Sequence, residues 1–314
     1  MSPGSILPPP LRCTPVVHKA LEDGRPVVAL ESSVLAQGLP VPANAEAHRL
    51  TTRAVVAAGA EPAVAAVVRG EPWLGLEEAA LGRFLARDGI GKLSARELGW
   101  AMANGADGAT TVAATLALCT LAGIRVFATG GIGGVHREPP FDESADLLEL
   151  SRSPVIVICS GAKSILDLPA TLERLETFGV SVLGYGTDEL PGFFTRGTGM
   201  SLAMRADTPE MVARTYLAQR ALGRPGALLV VQPVPVAHAL PQELVEGAVA
   251  AAIADARSQG VKGAAVTPFL LAAVERATEG RSLSANLALL EGNARLAGEV
   301  AVALHSLDGG AGVG

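Results

Sequence analysis

Short β-branched runs and amphipathic stretches alternate along most of this chain. Apolar runs at 26–31, 63–68, 124–128, 154–159, 181–183 and 227–232 are strand-sized and end in Gly, Pro or polar residues, which predicts buried strands. Between and beyond them, apolar positions recur at helical spacing near 43–58, 75–86, 95–104, 109–122, 144–151, 167–178, 208–222, 241–259, 267–278 and 284–304. Such alternation predicts an α/β layered fold with a largely parallel or mixed sheet. No internal repeat or long linker interrupts it, so one domain over 14–306 is expected. Pro8-Pro9-Pro10 and Gly309-Gly310-Ala311-Gly312 mark flexible tails at 1–13 and 307–314.

Ligands of such folds sit beyond the carboxyl ends of the strands. Four chemically rich segments follow four predicted strands. Glu31 closes the first, with Ser32 and Ser33 next; a glycine-rich segment spans 129–137; Lys163 follows 154–159; and Gly184-Tyr185-Gly186-Thr187-Asp188-Glu189 follows 181–183. The expectation is that they converge on one site.

Composition narrows the picture. The 314 residues are 49% apolar but only 4% aromatic, so the core is built from Ala, Val and Leu, which favours tight helix–sheet packing over a β-sandwich. A net charge of −6 with no basic run argues against a nucleic-acid polymer as partner, while leaving a single nucleotide open. Cys13, Cys119 and Cys159 are too few and scattered for a disulfide framework or a zinc site. No 18-residue apolar span occurs, and residues 1–10 lack the apolar core of a signal peptide. A cytoplasmic protein in a reducing compartment is expected.

Of 25 basic residues only Lys19, Lys92, Lys163 and Lys262 are lysines. A lysine kept in Ser160-Gly161-Ala162-Lys163-Ser164, at the end of an apolar run, points to work that a guanidinium cannot do. Lysine alone of the two can lose its proton and attack a carbonyl carbon. The alternative is a surface lysine in a strand-to-helix turn.

The other motifs each admit two readings. Residues 129–137, Thr-Gly-Gly-Ile-Gly-Gly-Val-His-Arg, bring backbone N–H groups close to a phosphate or form an ordinary turn; they match neither the Walker loop nor the dinucleotide fingerprint. Gly91-Lys92 places an ammonium on a phosphate or lies in a solvated loop. Asp142 and Asp146 hold a hard cation with water, or else Asp142 caps a helix and Asp146 favours its positive end. Glu31 is a general acid or base, or a structural ion pair. Asn286, in the last helical stretch, faces solvent or a ligand. No Ser/His/Asp order and no HExxH spacing appears.

Taken together these residues resemble the pseudouridine-5′-phosphate glycosidase family, also called indigoidine synthase A-like. The resemblance rests on ordered blocks: Ala29-Leu30-Glu31-Ser32-Ser33, Gly91-Lys92-Leu93-Ser94, Gly108-Ala109-Thr110-Thr111-Val112-Ala113-Ala114-Thr115, 129–137, Ser144-Ala145-Asp146-Leu147, Gly161-Ala162-Lys163-Ser164-Ile165-Leu166-Asp167, 184–189, Thr267-Pro268-Phe269-Leu270-Leu271 and Asn293-Ala294-Arg295-Leu296. It implies a three-layer α/β/α fold with a mixed, largely parallel sheet, assembled as a homotrimer. It also implies reversible cleavage of the C–C glycosidic bond of pseudouridine 5′-phosphate to uracil and ribose 5-phosphate. In that family the lysine matching Lys163 forms a Schiff base with C1′ of the opened ribose, and the glutamate matching Glu31 handles protons. A divalent cation, usually manganese (Mn2+), is held largely through water by the aspartate matching Asp142. Ser144, Ala145 and Asp146 match pocket-lining positions, Lys92, Thr129 and His136 match positions near the phosphate, and Val112 and Asn286 match others lining the site.

Several positions depart from the family pattern. Gln37 stands where histidine is common, 136–142 is about two residues short, and Glu143 replaces an apolar residue. Gln232-Pro233-Val234-Pro235-Val236-Ala237-His238 lacks the usual Asn before the first proline and the acidic pair after the second. Two alternatives stay open beside the glycosidase: another Schiff-base lyase or aldolase for a sugar phosphate, and a non-catalytic sugar-phosphate-binding protein.

Overall fold

The computed structural model describes residues 11–138, 141–261 and 266–310. In chain order its strands are β1 (Arg12–Cys13), β2 (Val27–Glu31), β3 (Glu61–Val68), β4 (Glu71–Leu74), β5 (Gly91–Leu93), β6 (Gly108–Thr110) and β7 (Val126–Ala128). Then come β8 (Val135–His136), β9 (Ile156–Cys159), β10 (Leu166–Asp167), β11 (Ser181–Tyr185), β12 (Met204–Ala206) and β13 (Leu228–Val231). The helices are α1 (Pro15–Glu22), α2 (Ala43–Ala57), α3 (Glu78–Ala86), α4 (Leu98–Ala103), α5 (Val112–Ala122) and α6 (Ala145–Arg152). They continue with α7 (Leu168–Thr177), α8 (Pro209–Ala221), α9 (Gln242–Ser258), α10 (Val266–Ala277) and α11 (Arg281–Gly310).

All six strands and all ten helices read from the sequence form, with shifts at their ends. The expected helix at 109–122 starts only at Val112, because Gly108–Thr110 pairs with β3 and β5 before Thr111 caps the helix by accepting from Ala114 N–H. The one at 75–86 starts at Glu78, since Trp73 and Leu74 belong to β4. The expected tail boundaries also move. Arg12 and Cys13 pair parallel with Trp73 and Leu74, and α11 continues past 306 to Gly310. The remaining tail residues, 1–10 and 311–314, lie outside the described residues.

The main sheet runs β1-β4-β3-β2-β7-β9-β13-β11-β12, with β6 also pairing β3. From β3 to β12 every neighbouring pair is parallel, while β4 and β6 join β3 antiparallel. The sheet is therefore mixed and largely parallel. Alternate side chains leave it on opposite faces. Val28, Leu30, Ile156, Ile158, Leu228 and Val230 pack one way, against Val55 of α2, Val212 of α8 and Val300 of α11. Ala29, Val157, Cys159, Leu229 and Val231 pack the other way, against Leu116 of α5, Leu147 of α6, Leu175 of α7 and Val249 of α9. Three layers result. Each fully buried Val, Leu or Ile contributes about 1.5–3 kcal/mol, and an exposed ion pair such as Arg12–Glu71 less than about 1 kcal/mol, so the apolar layers dominate stability. Among the described residues no helix is long and apolar enough to cross a membrane.

Candidate active site

The chain leaves β2 for β3 on one side, while β7 and then β9 lie on the other side of β2. A parallel sheet that reverses strand order in this way opens a crevice beyond the carboxyl ends of its strands. A cavity of about 430 Å³ lies there. It gathers Glu31, Lys92, Val112, His136, Asp142, Ser144, Ala145, Asp146, Lys163 and Asn286, residues that are up to 255 positions apart (286 − 31). Of the eleven residues singled out in the sequence, only Thr129 stands behind the wall.

Glu31 is the last residue of β2 and is 7% exposed. The pairing of Leu30 with Ala128 sets Thr129 beside it. Ser33 Oγ donates to one carboxylate oxygen and Thr129 Oγ1 to the other. This answers the question left by the sequence: the carboxylate is held by hydroxyls, not by an ion pair. Thr129, expected near the phosphate, is 2% exposed and spends its hydroxyl on Glu31.

Lys163 sits on the turn after β9. Ile132 N–H donates to Gly161 O (3.1 Å) and Lys163 N–H to Ile132 O (3.1 Å), so the turn lies alongside the glycine-rich loop that follows β7. Gly161 has φ of +86°, a conformation L side chains rarely adopt. A Cβ on Gly131 would lie 2.7 Å from the Phe193 ring and 2.9 Å from Gly161 O. The glycines therefore serve close packing of two loops. Among the described residues the Lys163 side chain makes no hydrogen bond or ion pair, which leaves its amine available in the cavity.

Lys92 lies on β5, paired with Ala109 of β6, where the sequence had left a phosphate-facing residue or a solvated loop. Its ammonium stands in the open mouth, yet protein atoms displace enough water to lower its pKa. The charge of Lys163 lowers it further, against the pull of Glu31 and Asp146. His136 lies on the β8–β10 ribbon, opposite Leu166. Burial holds its pKa below the ordinary value, Asp142 opposes this, and Lys163 and Lys92 add to it. Lys92 and Lys163 thus form a cationic rim suited to an anion of more than one charge, with the His136 imidazole beside them able to take up a proton when such an anion binds.

The acidic residues divide sharply. Asp146 is 5% exposed, and its carboxylate accepts from Ala113 N–H (2.9 Å) at the start of α5 and from Gly133 N–H (2.8 Å). It sits on the positive end of α5, not of its own helix. Ser144, not Asp142, caps α6, by accepting from Asp146 N–H (3.2 Å). Glu143 is clasped by Arg174 of α7 through two hydrogen bonds of 2.8 and 2.6 Å. Asp142 alone keeps a carboxylate free of protein partners among the described residues while lining the cavity. A single uncommitted carboxylate suits a hard cation that retains most of its water, such as Mg2+ or Mn2+. No group of three or more metal-ligating side chains occurs among the described residues, so the arrangement does not fit a closed zinc site.

Sequence reasoning missed several residues of the cavity wall. Ser33 was seen only as a neighbour of Glu31. Phe193, buried and edge-on to Phe194 with ring centroids 4.7 Å apart, covers Gly131, and its one signal was a Phe-Phe pair in a chain poor in aromatics. Behind the wall, Asn293 gave no signal beyond its place in a matching block. The segment 184–189, expected at the site, contributes nothing to the cavity lining.

These features define an α/β protein with a polar cleft at the carboxyl edge of its sheet, holding an anchored carboxylate, an available amine and a cationic rim. The chain belongs to the indigoidine synthase A-like family, whose model matches residues 16–303. It is 66% identical over 293 residues to the pseudouridine-5′-phosphate glycosidase of Gemmatimonas aurantiaca, covering 93% of this chain and 96% of the relative. It is 51% identical over 292 residues to the enzyme of that name from Herpetosiphon aurantiacus, covering 92% and 96%. The prealnumycin C-glycosynthase AlnA, solved in complex with ribulose 5-phosphate, superimposes with a TM-score of 0.88 at 40% identity, covering 96% of this chain and 98% of that one. An indigoidine synthase A-like protein of Thermotoga maritima gives 0.86 at 36% identity with the same coverage.

Proposed function

We propose that this protein cleaves, and reversibly forms, the C–C glycosidic bond of pseudouridine 5′-phosphate, exchanging it with uracil and ribose 5-phosphate. The observation that carries this reading is the placing of an unpartnered Lys163 amine in one cavity with a hydroxyl-anchored Glu31. The names of the relatives support the substrate.

A C-glycoside has no nitrogen or oxygen leaving group on the base side, so two-carboxylate hydrolysis does not serve it. In the proposed route the Lys163 ammonium first passes a proton to the Glu31 carboxylate; O4′ then leaves C1′ taking that proton as Lys163 Nζ bonds C1′. The bonded Nζ returns a proton to Glu31, which delivers it to uracil C5, and the C1′–C5 bond breaks with its electron pair staying with C5. The Lys163 nitrogen supplies its lone pair to form the C1′=N iminium. Water hydrolyses that Schiff base, freeing Lys163 and ribose 5-phosphate, so one water is consumed overall. Lys92 and His136 bind the phosphate and orient C1′ toward Lys163. Asp142 would hold a hydrated divalent cation, with manganese as the family expectation; when bound, it supplies positive charge for substrate oxygens. A homotrimer in the cytoplasm completes the reading, supported by the family resemblance.

A C-glycosynthase among the structural relatives favours testing both directions. Uracil release from pseudouridine 5′-phosphate with manganese, absent in Lys163→Arg, is the expected result. A folded protein that releases no uracil, and forms no C-glycoside from ribose 5-phosphate and uracil, overturns the assignment.

A further inference from the structure

Asn293 lies on α11, behind the cavity, and is fully buried. Its Nδ2 donates to Thr129 O (2.8 Å) and approaches Gly130 O (3.4 Å) and Ser160 Oγ (3.2 Å). Its Oδ1 accepts from Gln232 Nε2 (2.8 Å) and Ser160 Oγ (3.3 Å). One side-chain amide thus ties together the residues that follow β7, β9 and β13. Thr129 is the residue whose hydroxyl holds Glu31. Ser160 opens the turn that carries Lys163, and its N–H donates to Gly130 O (2.9 Å). None of Asn293, Ser160 and Gln232 lines the cavity.

An amide can face either way, and here its surroundings decide. Thr129 O can only accept, so the nitrogen must point to it. Gln232 secures the other end by presenting a donor to Oδ1. We infer that Asn293, oriented by Gln232, is a positioning residue that sets Lys163 against Glu31 for the reaction. This rests on the proposed glycosidase reading for its kinetic consequence, though not for its structural one. In low dielectric each of these bonds is strong, and losing the amide leaves Thr129 O without its side-chain donor and Gln232 Nε2 without its acceptor, while Gly130 O keeps the Ser160 N–H. The segments 129–134 and 160–163 then drift apart. A misplacement of about 1 Å between reacting groups costs on the order of a hundredfold in rate.

The test uses the full chain with three substitutions. Asn293→Ala deletes the tie. Gln232→Glu keeps the volume but offers an acceptor, which draws Nδ2 away from Thr129 O and inverts the amide. Gln232→Met removes the donor without forcing inversion. For the first two, kcat for uracil release is expected to fall about tenfold to a hundredfold while KM stays within about threefold, because no ligand contact is lost. Gln232→Met is expected to lose less. Hydrogen exchange at the Ile132 and Lys163 amides, whose bonds join the two loops, is expected to quicken while the strand interiors keep their protection. Turnover within about twofold of the parent in folded Asn293→Ala, or in Gln232→Glu if the first does not fold, overturns the inference. So does a loss of kcat with unchanged exchange at those two amides. If the parent itself releases no uracil, the glycosidase reading fails separately, and the exchange comparison alone decides for or against the tie.

Discussion

Thr129 and Glu31 lie side by side at the ends of adjacent parallel strands, and the Thr129 hydroxyl donates to the Glu31 carboxylate. With Ser33 donating to the other oxygen, the carboxylate is oriented before any substrate arrives. Glu31→Gln is expected to fold and to lose about 10²–10⁴-fold in turnover, the range for a positioned general acid–base group. Thr129→Val removes one hydroxyl and is expected to lose less. Steady-state uracil release checks both, and a normal rate in Glu31→Gln moves the proton role elsewhere.

Lys163→Arg keeps the charge and removes the nucleophile. Turnover is expected to drop by at least about a thousandfold, since the covalent step has no substitute. Borohydride treatment with ribose 5-phosphate is expected to add mass to the parent and none to the variant. Labelling at another lysine would relocate the Schiff base.

Asp146 is a clamp between α5, α6 and the glycine-rich loop. Replacing it with Ala leaves the buried Ala113 N–H and the part-buried, cavity-lining Gly133 N–H without acceptors. The buried orphan at Ala113 costs about 1–3 kcal/mol and the one at the cavity wall less, so a loss of about 1–4 kcal/mol is expected by urea unfolding. A change below about 1 kcal/mol would show that water replaces the carboxylate freely.

Lys92 and His136 have lowered pKa values in the cavity, first through burial. A phosphate dianion favours their charged forms and raises both values, so binding takes up protons to the extent that either group is neutral when free. Calorimetry of ribose 5-phosphate binding near pH 7, in buffers of different ionisation heat, is expected to show net uptake and tighter binding as pH falls toward about 6.5, the ordinary value for histidine. His136→Asn is expected to reduce the uptake. Proton release would place the phosphate elsewhere.

The layered fold was legible because buried strands such as 154–159 carry unbroken apolar runs and helices such as α8 start at recognisable caps, here Thr208 accepting from Met211 N–H. The short strands β4, β5 and β6 were not, because three or four residues give no periodicity: β4 turns straight back onto β3, while β6 pairs with β3 and β5 from distant parts of the chain. Most of the site residues were found from motif blocks. What those blocks did not carry was which acid is free: Asp142, Glu143 and Asp146 look alike in sequence, and only Arg174 and two backbone N–H groups separate them. Asn293 was invisible for the same reason, since its partners come from residues 129, 160 and 232.

The helix α11 supplies Asn286 to the cavity and, two turns on, Asn293 to the strand ends behind it. Glu31, at the other extreme, is made some 250 residues earlier (286 − 31 = 255). Under the proposed mechanism Glu31, Lys92 and Lys163 are therefore synthesised before the helix that registers them. A nascent chain carrying those three groups would then stay chemically idle until α11 docks. On that reading competence would wait for the docking of α11, and a reactive amine would not be committed to chemistry while that helix is unpacked.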